Sequence, residues 1–254
     1  MHFTNILAGA AVFLSANAMA APTNVEISAR QSPARMPTSF DFPTAEKNNV
    51  LEKARVIKAG TTFDGKMEGF DRGVACKGQG EGGSKDTVFL LEDGATLKNV
   101  IIGKNQREGV YCLGACTIEN VWWTEVCEDA LSVKGKGNAY IIGGGARNAK
   151  DKVIQHNGQG HVSISGFTVQ NFGKLYRSCG NCKSQNQRTV SITNVLADKG
   201  KLLAGINVNF GDVATISNVK VTKVKGMCDR FTGTTKGEPK KIGSGPDGRS
   251  CIVR

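Results

Sequence analysis

One recurring pattern constrains this chain more than any other feature: an apolar residue, any residue, then Asn or Gly, followed by an apolar alternation. It occurs at Leu97-Lys98-Asn99-Val100-Ile101-Ile102, Ile118-Glu119-Asn120-Val121-Trp122-Trp123, Ile141-Ile142-Gly143, Ile164-Ser165-Gly166-Phe167-Thr168-Val169, Ile192-Thr193-Asn194-Val195 and Ile216-Ser217-Asn218-Val219-Lys220-Val221. Successive units start 21, 23, 23, 28 and 24 residues apart. Each offers two or three short strands of period-two alternation, broken where Asn or Gly tolerates left-handed backbone angles. No single unit buries its apolar face alone, so the units must stack. This spacing fits the coils of a parallel β-helix better than a sandwich, whose strands would turn back every 8–12 residues or so. The expected fold is therefore all-β and solenoidal. Asn99, Asn120, Asn194 and Asn218 are expected at equivalent bends as a stacked ladder, shaping turns and doing no chemistry.

The N-terminus reads as an export signal. Asn5 to Ala16 is an apolar stretch too short to span a bilayer, and Ala18-Met19-Ala20 follows it. This predicts a signal peptide over 1–20, although its leading end carries only His2. No later segment is apolar for long enough to anchor in a membrane. The mature chain is expected to be secreted, extracellular and monomeric. An N-terminal arm is expected over 21–44, loose from Ser28 to Pro43, with one catalytic-sized domain over 45–254. Phe63-Asp64-Gly65 and the stretch from Gly78 to Gly83 read as turns and loops, and the segment from Lys236 to Arg249 as a loop tied down by Cys228 and Cys251.

The eight cysteines form an even set in an oxidising compartment, which favours disulfides. Cys179-Gly180-Asn181-Cys182 has the spacing of a zinc or redox pair, but lacks a second pair at zinc-site spacing, so the structural reading is preferred. A formal net charge of +11 points to an anionic partner. Nucleic acid, anionic lipid and acidic polysaccharide all fit such a charge, while secretion and an aromatic content of 6% argue against nucleic acid. A basic surface that serves solubility alone is the plainer alternative.

Within this basic chain Glu125, Glu128 and Asp129 form an acidic cluster, whose repulsion a calcium ion would relieve. Acidic turns are also commonly just solvated. Asp151-Lys152 follows, ahead of Val153-Ile154-Gln155-His156-Asn157-Gly158. If 23 residues make one coil, Asp129 and Lys152 are stacked neighbours, and Lys174 and Arg177 lie one coil further on. Charges coating the outside of a solenoid would give the same pattern.

Several longer stretches resemble the third family of polysaccharide lyases, the small pectate lyases. They are Asp93-Gly94-Ala95-Thr96-Leu97-Lys98-Asn99 through Val110-Tyr111-Cys112 to Asn120-Val121-Trp122-Trp123, Val126-Cys127-Glu128-Asp129-Ala130, Asp151-Lys152-Val153-Ile154-Gln155-His156-Asn157-Gly158, and Asn171-Phe172-Gly173-Lys174-Leu175-Tyr176-Arg177-Ser178-Cys179-Gly180-Asn181-Cys182. The resemblance covers about residues 45 to 230. It implies a right-handed parallel β-helix, a Ca2+ cofactor, and eliminative cleavage of polygalacturonate (pectate, low-methyl pectin). It also implies calcium carboxylates at Glu128 and Asp129, a catalytic lysine at Lys152, and basic catalytic or substrate-binding residues at Lys174 and Arg177.

One departure stands out. Where the family often has Asp and His, this chain has Glu108 and Tyr111, and Glu108 becomes the third candidate ligand with altered geometry. His156 is expected to be structural, buried and bonded to backbone, and His161 to lie on the surface. Two rival readings stay open: a polygalacturonase-type hydrolase, whose Asp-Asp pair is missing here, and a non-catalytic wall-binding β-helix.

Overall fold

A computed structural model of the chain describes residues 1–2, 34–78 and 80–254. The expected signal peptide at 1–20 lies outside the described residues apart from Met1 and His2, as does the arm before residue 34. No helix among the described residues is long and apolar enough to cross a membrane.

Residues 34–254 form a right-handed parallel β-helix with three strand stacks. The first carries Arg55–Ile57, Thr87–Leu91, Glu108–Cys112 and Asp129–Val133, then the later parts of Gly145–His156, Thr168–Ser178 and Arg188–Asn207, and finally Cys228–Thr232. The second runs from the start of Thr62–Asp71 through Ala95–Ile102, Cys116–Trp123, Ala139–Ile142 and Gly160–Ser165 to Cys251–Val253. The third begins at Asn48–Val50 and uses the other halves of the long strands. Among the described residues one strand pairing is antiparallel, Cys228–Thr232 with Lys240–Ser244.

The repeat becomes a column. Leu97, Ile118, Ile141, Ile164, Ile192 and Ile216 are in direct register and fully buried. Burying each such side chain contributes roughly 1.5–3 kcal/mol, so the column is a main source of stability. Phe89, Val110, Leu131, Ile154 and Tyr176 form a second buried column under the first stack. The asparagines behave as expected, with φ of 52° at Asn99, 52° at Asn120, 56° at Asn194 and 47° at Asn218. Asn120 donates to Asn99 at 2.9 Å and Asn218 to Asn194 at 2.6 Å. Gly143 and Gly166 take φ of 65° and 64° in the two coils between. A second left-handed column, at Asn148, Asn171, Lys199 and Lys223, has φ of 62°, 53°, 54° and 54°.

Three sequence expectations need correction. Phe63-Asp64-Gly65 lies inside the strand Thr62–Asp71, because Phe63 packs against Phe70 and Phe89 with ring centroids 5.7 Å away in each case. The bend falls at Lys66 and Met67 instead. The described part of the arm is docked: Ala34 N–H donates to Ser165 Oγ, Asn194 Nδ2 donates to Ala34 O at 2.7 Å, and Phe42 meets Trp122 edge-on. The segment from Lys236 to Arg249 contains the strand Lys240–Ser244, closed by the Cys228–Cys251 disulfide. The other bridges join Cys76 to Cys127, Cys112 to Cys116 and Cys179 to Cys182.

Candidate active site

Stacking assembles the site from successive coils. Lys152 is in direct register with Asp129 on one side and Lys174 on the other, as the 23- and 22-residue spacings predict. Its Nζ lies 3.2 Å from Glu128 Oε1, 3.4 Å from Asp129 Oδ1 and 2.7 Å from Asp151 Oδ2. Lys174 shares the other Asp151 oxygen at 2.6 Å. Burial alone would depress the Lys152 ammonium, but the carboxylates of Asp129, Asp151 and Glu128 more than reverse this and hold it well above the ordinary lysine range.

The acids are more crowded than the spacing suggested. Burial pushes the Glu108 carboxyl up to about 7, aided by the charge of Glu128. Burial likewise raises Asp129 well above the usual carboxylate range; Lys152 opposes this, and Glu128 adds to it. Glu81, Glu108 and Glu128 each present an oxygen within 4.8 Å of the others. Glu108 Oε2 and Glu128 Oε2 are buried without a hydrogen-bond donor, and Asp129 Oδ1 has the Lys152 ammonium at 3.4 Å in place of one. Hard carboxylate oxygens at this spacing fit a calcium ion, which takes about six to eight oxygens. Glu125 does not join them: it sits on a separate cleft beside Asn148 and Lys150.

Glu81 escaped the sequence reading, because it lies in a glycine-rich loop that belongs to no repeat. The loop is pinned by the two residues that depart from the family pattern. Gly82 N–H donates to Glu108 Oε1 at 2.8 Å, and the Tyr111 hydroxyl donates to Gly82 O at 3.3 Å. A Cβ on Gly82 would stand 2.6 Å from Glu108 Cγ, so only glycine allows the approach. The Cys76–Cys127 bridge ties the start of the same loop to the residue preceding Glu128.

Arg177 is 7% exposed and held from several sides. Its Nη1 donates to Asn207 Oδ1 at 3.0 Å, and its guanidinium lies 4.2 Å from the centre of the Phe231 ring. Asn207 is fixed in turn, donating its side-chain amide to Cys179 O and its backbone N–H to Asp212 Oδ2, which also accepts from Ser178. Burial lowers Arg177 to about 10, opposed by Asp212. Arg177 Nη2 is buried without an acceptor. Asn207 and Asp212 carried no sequence signal, since they lie beyond the last family-like motif, which ends at Cys182.

His156 is fully buried as expected, but its Nδ1 bonds the Tyr176 hydroxyl at 2.9 Å and not backbone. His161 is half-buried, paired with Thr189 at 2.8 Å and Ser191 at 3.0 Å. Burial, and then the Arg188 charge, depress His156 to about 3. A folded pKa below the unfolded value of about 6.5 contributes stability above pH 6.5 that is lost as pH falls toward 3. Relative to His156→Asn, which does not titrate, the parent should lose about 2–3 kcal/mol more between pH 6.5 and 4. Urea unfolding of both proteins at the two pH values measures this; parallel losses would refute it.

The model of the pectate lyase family matches residues 39–238. The chain belongs to the pectate lyase family. As a pectate lyase it is 58% identical over 212 residues to pectate lyase E of Emericella nidulans, covering 82% of each chain. It is 56% identical over 210 residues to a probable pectate lyase D of Neosartorya fischeri, covering 82% of this chain and 87% of that one. Among solved structures it resembles pectate lyase Pel3 of Pectobacterium carotovorum (TM-score 0.68, 31% identity, 86% of this chain and 71% of that chain). It also resembles pectate lyase PelI of Erwinia chrysanthemi in complex with tetragalacturonic acid (TM-score 0.65, 33% identity, 78% and 68%).

Proposed function

We propose that this pectate lyase is a secreted, calcium-dependent enzyme that cleaves polygalacturonate by β-elimination, with Lys152 as the base. The observation that carries the reading is the placement of one lysine against Glu128, Asp129 and Asp151, one coil from Lys174 and in the first stack with Arg177.

Elimination removes the proton at C5 of a galacturonate. The C–H electron pair becomes the C4–C5 double bond, the C4–O bond breaks, and the released oxygen takes up a proton. Glu81, Glu108, Glu128 and Asp129 would hold calcium, which supplies positive charge against the uronate carboxylate and so acidifies C5. Arg177, held in place by Asn207 and Phe231, supplies fixed positive charge toward a substrate carboxylate and stabilises the charge that develops there. Lys174 adds positive charge from the neighbouring coil. Lys152 accepts the C5 proton in its neutral form, so the strong hold of the three carboxylates on its ammonium favours an alkaline optimum unless a cation offsets them.

The decisive assay follows absorbance in the near ultraviolet during digestion of polygalacturonate. Unsaturated uronate ends should accumulate with calcium and stop with chelator; new reducing ends without absorbance would indicate hydrolysis.

A further inference from the structure

Outside the Lys152 centre, a cleft of about 530 Å3 runs along the second column of left-handed bends, lined by Phe172 and by Lys150, Lys199, Lys201, Lys223 and Lys225. Strand register orders these residues into rails. Ala149, Phe172, Gly200 and Val224 are in line, which places Asn148, Asn171, Lys199 and Lys223 on one rail, with Lys201 and Lys225 in line on the next.

Three observations bear on these lysines. All five are exposed, and none makes an ion pair or a side-chain hydrogen bond among the described residues, a state shared with other surface lysines such as Lys53, Lys104 and Lys220 but here gathered five to one cleft. Glu125 is the one acid among the residues lining the cleft. Lys199 and Lys223 also occupy left-handed backbone at φ 54°, where the preceding coils use Asn148 and Asn171. Asparagine tolerates that region far better than lysine, so local backbone preference does not account for the choice. Unpaired like charges packed on a strained turn repel one another, and a polyanion relieves that repulsion.

We infer that this cleft is a second binding site for an anionic polysaccharide, taking the carboxylates of a polyuronate chain apart from the catalytic centre. The inference rests on the substrate assigned under Proposed function. Adjacent coils stand about 4.8 Å apart, so cations repeat along the rails at a step comparable to one sugar unit of an extended chain. Such a site would keep the enzyme on long polymer between cuts, and would do nothing for a substrate too short to reach it.

The test combines Lys199→Asn, Lys223→Asn, Lys201→Gln and Lys225→Gln in the full chain. Asparagine at 199 and 223 extends the existing ladder, so thermal stability should be unchanged or higher. In a Lys152→Ala background, the four substitutions should weaken binding to long polygalacturonate about 10-fold at low salt and flatten its salt dependence. With Lys152 intact, KM for the long polymer should rise about 10-fold, while kcat and the rate on trigalacturonate stay the same. Unchanged binding would overturn the inference and leave the catalytic reading standing, as would a weakening seen with single-stranded DNA alone. A parallel fall in the trigalacturonate rate would place these lysines in the catalytic centre and also overturn it. No binding of polygalacturonate by the parent would overturn both readings.

Discussion

Lys152→Ala is expected to cut kcat by about 10²–10⁴-fold while the protein still binds polygalacturonate, since Arg177 and Lys174 remain. The site predicts a second effect that a purely catalytic argument would not. Removing the ammonium strips Glu128, Asp129 and Asp151 of their shared cation, so calcium should bind more tightly to the variant than to the parent. Calcium titration followed by thermal shift measures this without any turnover. Lys152→Arg separates the two roles, because arginine keeps the charge but holds its proton far more firmly. If the arginine variant retains most of the parental rate near neutral pH, Lys152 is an electrostatic residue and the base lies elsewhere, with Arg177 the next candidate.

Glu128→Gln should remove most of the calcium response, because Glu128 is the member shared by the carboxylate trio and the Lys152 pair. A loss of about 100-fold in apparent calcium affinity is the scale expected when a site loses one of its anchoring groups. In the parent, added calcium should raise the unfolding temperature by several degrees, about 2–4 °C per kcal/mol of binding energy for a domain of this size. In the variant the rise should nearly vanish, although its metal-free form should unfold no earlier, since less like charge is buried beside Glu108 and Asp129. A calcium shift equal to the parent's would place the ion away from these residues.

The solenoid and half of the site were legible in the sequence for one reason: both repeat. Leu97, Ile118, Ile141 and Ile164 recur at the length of a coil, and the same arithmetic brings Asp129, Lys152 and Lys174 into line. What lies off the repeat was hidden. Glu81 sits in a loop whose length no neighbouring coil constrains, and its approach to Glu108 depends on a glycine contact between segments 26 residues apart. Asn207 and Asp212 reach Arg177 through buried side-chain bonds that leave no pattern along the chain. Glu125 belongs to the acidic cluster by sequence alone, since closeness to Glu128 along the chain gives no warning that its side chain lines a different cleft. Phe63 was read as part of a turn because Asp64-Gly65 follows it, and the packing of three phenylalanine rings overrode that local preference.

The Cys76–Cys127 bridge gives the carboxylate trio a dependence on redox history. The stacked strands owe their cohesion to ladder bonds and buried columns, and would persist with this bridge open. The segment bearing Glu81 would not be equally secure, since among the described residues it is held near the acids by hydrogen bonds from Arg107 to Gly80 O, from Gly82 to Glu108 and from Tyr111 to Gly82 O. A chain still held in a reducing compartment would thus be a finished solenoid whose carboxylate trio stays unassembled until oxidation clips the loop into place.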